Sequence, residues 1–136
     1  MRRSGALLDL LSRRMRAAGE TALQAAGLRP RHLLAMTVLR DRGESSQADL
    51  AGTLQLDRTN VVGLLNELER EGLIERRRSP EDRRRHTVRL TEEGRERLAR
   101  AEFALAAAED LVLAGLTAKQ RDTLYELLAK ATAAAC

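Results

Sequence analysis

Seven arginines between Arg76 and Arg89, within the stretch ERRRSPEDRRRHTVRL, are the residues of this sequence with the clearest chemical character. Only two acids, Glu81 and Asp82, lie among them, so this segment carries a local charge of +5. The whole chain has a net charge of +4, and the remaining residues therefore sum to −1. A basic patch of this kind predicts a polyanionic partner, either nucleic acid or an acidic membrane surface.

A second polar group stands at the start of an apolar helical pattern, where residues 58–60 read RTN. Arg58 can hold a guanine through two hydrogen bonds, Asn60 can hold an adenine, and the methyl group of Thr59 can contact a thymine. Gly63 would allow the helix backbone to approach a duplex closely, although glycine lowers helix propensity. The alternative is that Asn60 only supports the helix cap and that Arg58 is a solvated surface residue.

The arginine segment itself has the pattern of a hairpin, because LIERRR and HTVRLT each alternate and SPED between them is typical of a turn. An arginine at a hairpin tip can enter the minor groove, where negative potential is concentrated. Asp82 lies two residues before Arg84 and can pair with an arginine to orient it. We expect other arginines to face phosphates or solvent: Arg76, Arg77, Arg83 and Arg85. The alternative is that the whole segment is only a solvated charged turn, and this alternative is strongest for Arg78 and Arg89.

Apolar periodicity predicts the helices that must position these groups. A first helix runs from about Ser4 to Ala26, and a second runs from Pro30 to a stop at Gly43, burying Leu33, Leu34, Val38 and Leu39. A short third helix begins at Ser46, capped with the help of Asp49, and a fourth begins after the cap residue Asp57 and closes at Gly72. We also predict DNA contacts from Ser46 and Gln47.

After the hairpin, the helical period returns from Thr91 to about Ala114, and Thr117 with Gln120 predicts a capping box before a last helix. The predicted fold is mainly α, with α+β character from the hairpin: a winged helix-turn-helix between N- and C-terminal helices. The apolar stripes of those terminal helices exceed what one small winged lobe can cover, which predicts a dimer interface.

Composition narrows the class of protein. A length of 136 residues fits one domain, and the scarcity of aromatic residues argues against base-stacking single-strand binders. The lone Cys136 allows no intrachain disulfide, and no apolar run suits a membrane span or signal core, so we expect a cytoplasmic protein without membrane contact. We predict neither enzyme activity, nor a cofactor, nor a metal site. His32 could line an effector cavity, although a cap or surface role is the simpler expectation.

The segment LDRTNVVGLLNELEREGLIERRRSPEDRRRHTVRLTEEG resembles the recognition helix and wing of the MarR family of transcriptional regulators. The resemblance extends more loosely over nearly the whole chain. It implies one MarR-like domain, residues 1–136, in which residues 30–90 form the DNA-binding lobe and residues 1–29 and 91–136 form dimerisation helices. It also implies an obligate homodimer on a pseudo-palindromic operator, with Asp82 and Arg84 as the wing pair whose arginine enters the minor groove.

Many members of that family bind aromatic effectors, but this chain offers few aromatic or histidine side chains for such a cavity. It also lacks the cysteine near the first helix that the peroxide-sensing branch uses. The leading hypothesis is a dimeric, sequence-specific DNA-binding regulator, a repressor relieved by a small-molecule effector. The alternatives are a nonspecific architectural DNA-binding protein without an effector, and a helical module whose arginines bind an acidic protein or membrane.

Overall fold

Six helices and three short strands follow one another along residues 1–134, the part of the chain that the computed structural model describes. Cys136 lies outside these residues. The elements in chain order are α1 (Ser4–Ala25), α2 (Pro30–Arg42), β1 (Ser45–Ser46), α3 (Gln47–Leu54), α4 (Arg58–Arg70), β2 (Ile74–Arg78), β3 (His86–Leu90), α5 (Glu92–Val112) and α6 (Ala118–Ala134). This order confirms the predicted mainly α winged helix-turn-helix.

Local capping chemistry decides where the central helices begin. The Ser46 side chain accepts a hydrogen bond from the backbone N–H of Asp49 at 3.0 Å, and Asp57 accepts one from the backbone N–H of Asn60 at 2.8 Å. The stops after α2 and α4 use Gly43 and Gly72, whose φ angles of +80° and +75° favour glycine. The caps at Ser46 and Asp57 and the stops at Gly43 and Gly72 are therefore confirmed, but within residues 1–134 the Asp49 side chain makes no bond back to Ser46, so the capping-box variant is not formed.

The strands form one antiparallel sheet in the order β1-β3-β2. β2 and β3 make the predicted hairpin, in which Ile74 pairs with Leu90 and Arg76 pairs with Val88. The short β1 was not predicted, because two serines carry no alternation that could reveal a strand. Its pairing of Ser45 with Val88 joins the start of α3 to the hairpin.

The core is aliphatic and gathers side chains from α2 to α5 and the hairpin. Its largest fully buried members are Met36, Leu39, Leu50, Leu64, Leu65, Leu68, Leu73 and Leu98. The predicted burial of Leu34 is wrong, since 53% of that residue is exposed. The inward stripe of α2 instead runs through His32, Ala35, Met36 and Leu39, a three- and four-residue spacing that turns Leu34 away.

The terminal helices stand beside the winged lobe. α1 packs along α5, and Arg121 of α6 forms an ion pair with Asp110 of α5 at 2.9 Å. These three helices border an open, mainly apolar groove of about 600 Å³, lined by residues that include Leu8, Leu11, Met15, Leu105, Leu124 and Leu128. Within residues 1–134, none of the helices has the length and apolar character that crossing a bilayer requires.

Candidate nucleic-acid interface

Three separate segments of the chain meet at one cleft of about 450 Å³. The first is the start of α3, the second is the first turn of α4, and the third is the end of the loop between β2 and β3. The lining residues are Ser46, Gln47, Ala48, Ala51, Arg58, Val61, Arg84, Arg85 and His86. The fold therefore brings together predicted site residues from all three segments.

The first turn of α4 presents Arg58, Thr59 and Asn60 as exposed residues, but only Arg58 borders the cleft. The side-chain amide of Asn60 donates to Oδ2 of Asp57 at 2.8 Å, in addition to the capping bond from its backbone N–H. Asn60 thus has the cap-supporting contacts of the alternative interpretation. A Cβ atom added at Gly63 would meet nothing within 4 Å, so the helix backbone there faces open space.

Three of the seven arginines are held by acids of the same chain. Arg76 contacts Asn66 and forms an ion pair with Glu69 at 2.9 Å, while Arg77 and Arg89 contact Glu75 at 3.3 and 2.8 Å. Arg76 does not face solvent, because only 19% of its side chain is exposed, and its contact with phosphates stays a prediction. Strand alternation places Arg76 on the same face as the buried Ile74, toward α4.

The tip of the hairpin carries Arg83, Arg84 and Arg85, all exposed and without an ion-pair partner within residues 1–134. The predicted pairing of Asp82 with an arginine side chain is wrong for this structure. Oδ1 of Asp82 instead accepts the backbone N–H of Arg84 at 3.0 Å, and its carbonyl accepts the N–H of Arg85 at 3.0 Å. Asp82 therefore shapes the turn, because a short acidic side chain readily bonds the backbone two residues onward.

The two acids that pair with Arg76, Arg77 and Arg89 have lowered pKa values. The hydrogen bond from the Arg76 side chain lowers the pKa of Glu69, and the bonds from Arg89 and Arg77 lower the pKa of Glu75. Both carboxylates are thus stabilised in their charged form. Because Glu69 and Glu75 offset Arg76, Arg77 and Arg89, the arginines at the tip are among those whose charges have no acidic partner within residues 1–134.

His32 lies away from this cleft and is 8% exposed, so the surface role expected for it is wrong and the cap role is confirmed. Its Nδ1 accepts the backbone N–H of Arg29 at 3.3 Å, and its Nε2 lies 2.7 Å from Oε2 of Glu67. The ring borders a separate cleft of about 480 Å³ between the end of α1, the start of α2 and α4. Among residues 1–134, no group of three or more potential metal ligands comes together.

The sequence patterns did not identify three residues that hold arginines of the hairpin. Asn66 and Glu69 hold Arg76, and Glu75 holds Arg77 and Arg89. A usable signal existed, since Asn66 and Glu69 are three residues apart and so share one face of α4. Glu75 lies directly across from Arg89 in the hairpin register, where opposite charges stabilise a strand pair.

A sequence model described as the MarR family matches residues 28–86. The chain is 36% identical over 104 residues to an uncharacterized HTH-type transcriptional regulator, YdgJ of Bacillus subtilis, covering 76% of this chain and 63% of that protein. It is 38% identical over 93 residues to a putative transcriptional regulatory protein for the hcr operon of Thauera aromatica, covering 68% and 56%. The chain thus spans about three fifths of the length of these curated relatives. Both are named as regulators, as the prediction of a non-enzymatic protein expects.

Solved structures share the architecture. The YusO protein of Bacillus subtilis superposes with a TM-score of 0.83 at 22% identity, covering 96% of this chain and 93% of that one. MepR of S. aureus, a mutant bound to an oligodeoxyribonucleotide, gives 0.73 at 21% identity and covers 98% of both chains. BpsR of Bordetella bronchiseptica, whose DNA binding is regulated by 6-hydroxynicotinic acid, gives 0.73 at 25% identity, covering 98% and 95%. The fold of this chain is therefore that of these winged-helix proteins.

Proposed function

We infer from the match of residues 28–86 to the MarR family model, and from the similarity to YdgJ, that this chain is a MarR family protein, and we propose that it is a dimeric, sequence-specific DNA-binding transcriptional regulator. The observation that carries the proposal is the cleft in which Arg58 of α4 lies with Arg84 and Arg85 of the hairpin. α4 is the proposed recognition helix, with Arg58, Thr59 and Asn60 toward base edges of the major groove. The hairpin is the proposed wing, and Arg84 is the side chain that we assign to the adjacent minor groove.

The charge distribution supports a duplex as the partner. Arg58, Arg83, Arg84 and Arg85 have no ion-pair partner within residues 1–134, so their charges are available to phosphates. The start of α3 lies at the same cleft through Ser46 and Gln47. Exposed amides at a helix start favour phosphate oxygens, which suits Ser46 and Gln47 to contacts with the DNA backbone.

A homodimer is proposed because the terminal helices leave large apolar side chains exposed in the single chain. Leu7, Phe103, Leu111 and Tyr125 are each at least 70% exposed, and the groove between α1, α5 and α6 is open. A second copy would bury these side chains. Two-fold symmetry would then place two recognition helices about 34 Å apart, which suits a pseudo-palindromic operator. Residues 1–29 and 91–136 are the proposed dimerisation regions, and residues 30–90 are the proposed DNA-binding lobe.

Repression relieved by a small molecule is the proposed mode of regulation, exerted in the cytoplasm. The regulation of BpsR by 6-hydroxynicotinic acid supports an effector of this general kind. The cleft beside His32 is the proposed effector site, because it lies between the terminal helix α1 and the recognition helix α4. A ligand there would contact both the proposed dimerisation region and the proposed DNA-binding lobe.

Selection of bound duplexes from a random pool tests this function. A sequence-specific dimer should enrich a near-palindromic site and bind it about 10³-fold more tightly than unrelated duplex at physiological salt. Equal binding to all duplexes would identify an architectural DNA-binding protein instead. No affinity for any duplex would leave the third hypothesis, an acidic protein or membrane as the partner of the arginines.

A further inference from the structure

Arg76 occupies an inward-facing position on the wing, which is unusual for a charged residue. It follows Ile74 by two residues on β2 and pairs with Val88 on β3, and both of those residues are buried. Paired residues of antiparallel strands share a face, so the Arg76 side chain lies on the face that packs against α4. Its charge must therefore be met by polar groups of that helix.

α4 supplies those groups from its second half. Glu69 uses both carboxylate oxygens on Arg76, because Oε1 accepts from the guanidinium at 2.9 Å and Oε2 accepts from the backbone N–H at 3.3 Å. The side-chain oxygen of Asn66 accepts a further bond from the same guanidinium nitrogen. We call Arg76, Glu69 and Asn66 the wing clamp.

The wing clamp lies at the point where apolar packing of the hairpin ends. Beyond Arg76 and Val88, the next inward pair is Arg78 and His86, and both are exposed. β2 continues for two residues beyond the clamp, roughly 7 Å at about 3.3 Å for each residue, and the loop that carries the tip follows it. A change in the angle between hairpin and helix at the clamp would therefore displace the tip.

We propose that Arg76 is a positioning residue, which fixes the wing against the recognition helix so that Arg84 and Arg85 lie at the same cleft as Arg58. This inference rests on the proposed DNA-binding function and adds to it a residue that acts through the wing rather than on DNA. It also assigns Glu69, an acid of the proposed recognition helix, a role that favours binding.

The rival role for Arg76 is direct contact with a phosphate, and the two roles predict opposite signs for one substitution. If Arg76 contacts DNA, Glu69 competes with phosphate, and Glu69→Gln should tighten binding by removing a negative charge. If Arg76 positions the wing, Glu69→Gln removes one acceptor of the wing clamp and should weaken binding. Glutamine keeps the shape of the side chain, so both roles are compared in a folded protein.

Glu75→Gln is the matched control, because it makes the same charge change at another carboxylate that holds arginines of the wing. The Glu75 and Glu69 side chains have nearly equal exposure, 41% and 42%, but Glu75 holds Arg77 and Arg89 on the outer face. We expect Glu69→Gln to bind the selected duplex about three- to tenfold more weakly, the effect of one lost charge-assisted contact. Glu75→Gln should bind with equal or greater affinity. Equal weakening by both substitutions, or tighter binding by Glu69→Gln, would overturn the proposal.

Coupling to Arg84 provides the second readout, measured on the same duplex with Arg76→Met, which keeps the aliphatic part of the side chain. A positioning role predicts that Arg84→Ala costs less in the Arg76→Met background than in the wild type, because the tip is already displaced. Independent phosphate contacts predict additive losses. Failure of the wild type to bind any duplex would reject the proposed function itself, whereas wild-type binding with additive losses would reject only the wing clamp.

Discussion

Nε2 of His32 lies 2.7 Å from Oε2 of Glu67, so a buried side chain in the first turn of α2 is bonded to the last turn of α4. Nδ1 of the same ring accepts the backbone N–H of Arg29 at 3.3 Å, which assigns the donor proton to Nε2. The hydrogen bond from His32 is the main reason that the pKa of Glu67 is lowered. The junction of α1 and α2 is thereby joined to the proposed recognition helix through one imidazole.

Removing this imidazole should destabilise the fold. His32→Ala leaves the Arg29 N–H without its acceptor and opens space in a buried site, so we expect the free energy of unfolding to fall by about 1–3 kcal/mol. Urea denaturation at one fixed chain concentration measures the change. The control is Arg31→Ala, an exposed neighbour on the same helix turn. Equal losses in the two variants would contradict the structural role of His32.

A second stability prediction concerns Gly94 in the first turn of α5. A Cβ atom there would overlap the backbone oxygen of Leu73 and come within 2.8 Å of Cδ1 of Leu90. Because the obstacle includes backbone, Gly94→Ala should cost about 3 kcal/mol. Gly52→Ala in α3 is the control, since its Cβ would meet nothing within 4 Å and alanine favours helix. Thermal unfolding with no difference between the two variants would count against the close packing of α5 on the hairpin.

These features were predictable to different degrees. Ser46 and Asp57 were recognised as caps, and Gly43 and Gly72 as stops, because each depends on a few neighbouring residues and on one backbone conformation. Tertiary interactions had no part in those assignments. The sequence pattern alone was therefore sufficient for the order and bounds of the helices and for the hairpin.

The division of the arginines needed information that no local pattern contains. Arg76 and Arg84 are the same residue type in one basic run, and only the packing of β2 against α4 sets Glu69 opposite the first of them. Leu34 illustrates the same limit, because periodicity identifies an apolar stripe but neighbouring helices decide its exact phase. The local sequence pattern therefore could not predict which side chains face a neighbouring helix or strand and which face solvent.

A third prediction separates stability from DNA binding at Gly63. Its Cβ would meet nothing within 4 Å, so Gly63→Ala should raise the free energy of unfolding by up to about 1 kcal/mol through helix propensity. If the backbone of α4 approaches a duplex closely, the added methyl group should nevertheless weaken binding to the selected site. Paired urea and fluorescence-anisotropy titrations measure both quantities. A variant that is more stable and binds equally well would show that DNA does not approach Gly63.

A fourth prediction follows from the lowered pKa values of Glu67, Glu69 and Glu75, whose ordinary value is 4.5. A carboxyl with a lower pKa in the folded state than in the unfolded state stabilises the fold fully above the unfolded value. This stabilisation is lost as the pH falls below 4.5 and passes through the lowered pKa values that these carboxyls have in the folded state. The urea concentration at the midpoint of unfolding should therefore decrease as the pH is lowered below 4.5. This decrease should be smaller for Glu69→Gln than for the wild type. An identical pH profile for both proteins would contradict the contribution of the wing clamp.

The last prediction compares two wing arginines that differ in their partners. Arg84 is exposed at the cleft without an ion-pair partner in the described residues 1–134, whereas Arg77 lies 3.3 Å from Glu75 on the outer face. Arg84→Ala should weaken binding to the selected duplex by about 1–3 kcal/mol and reduce the salt slope by about 1. Arg77→Ala should change both quantities less, because its charge is already offset by Glu75. Binding measured across a salt series checks the pair, and equal effects would mean that the wing reads total charge rather than the placement of its tip.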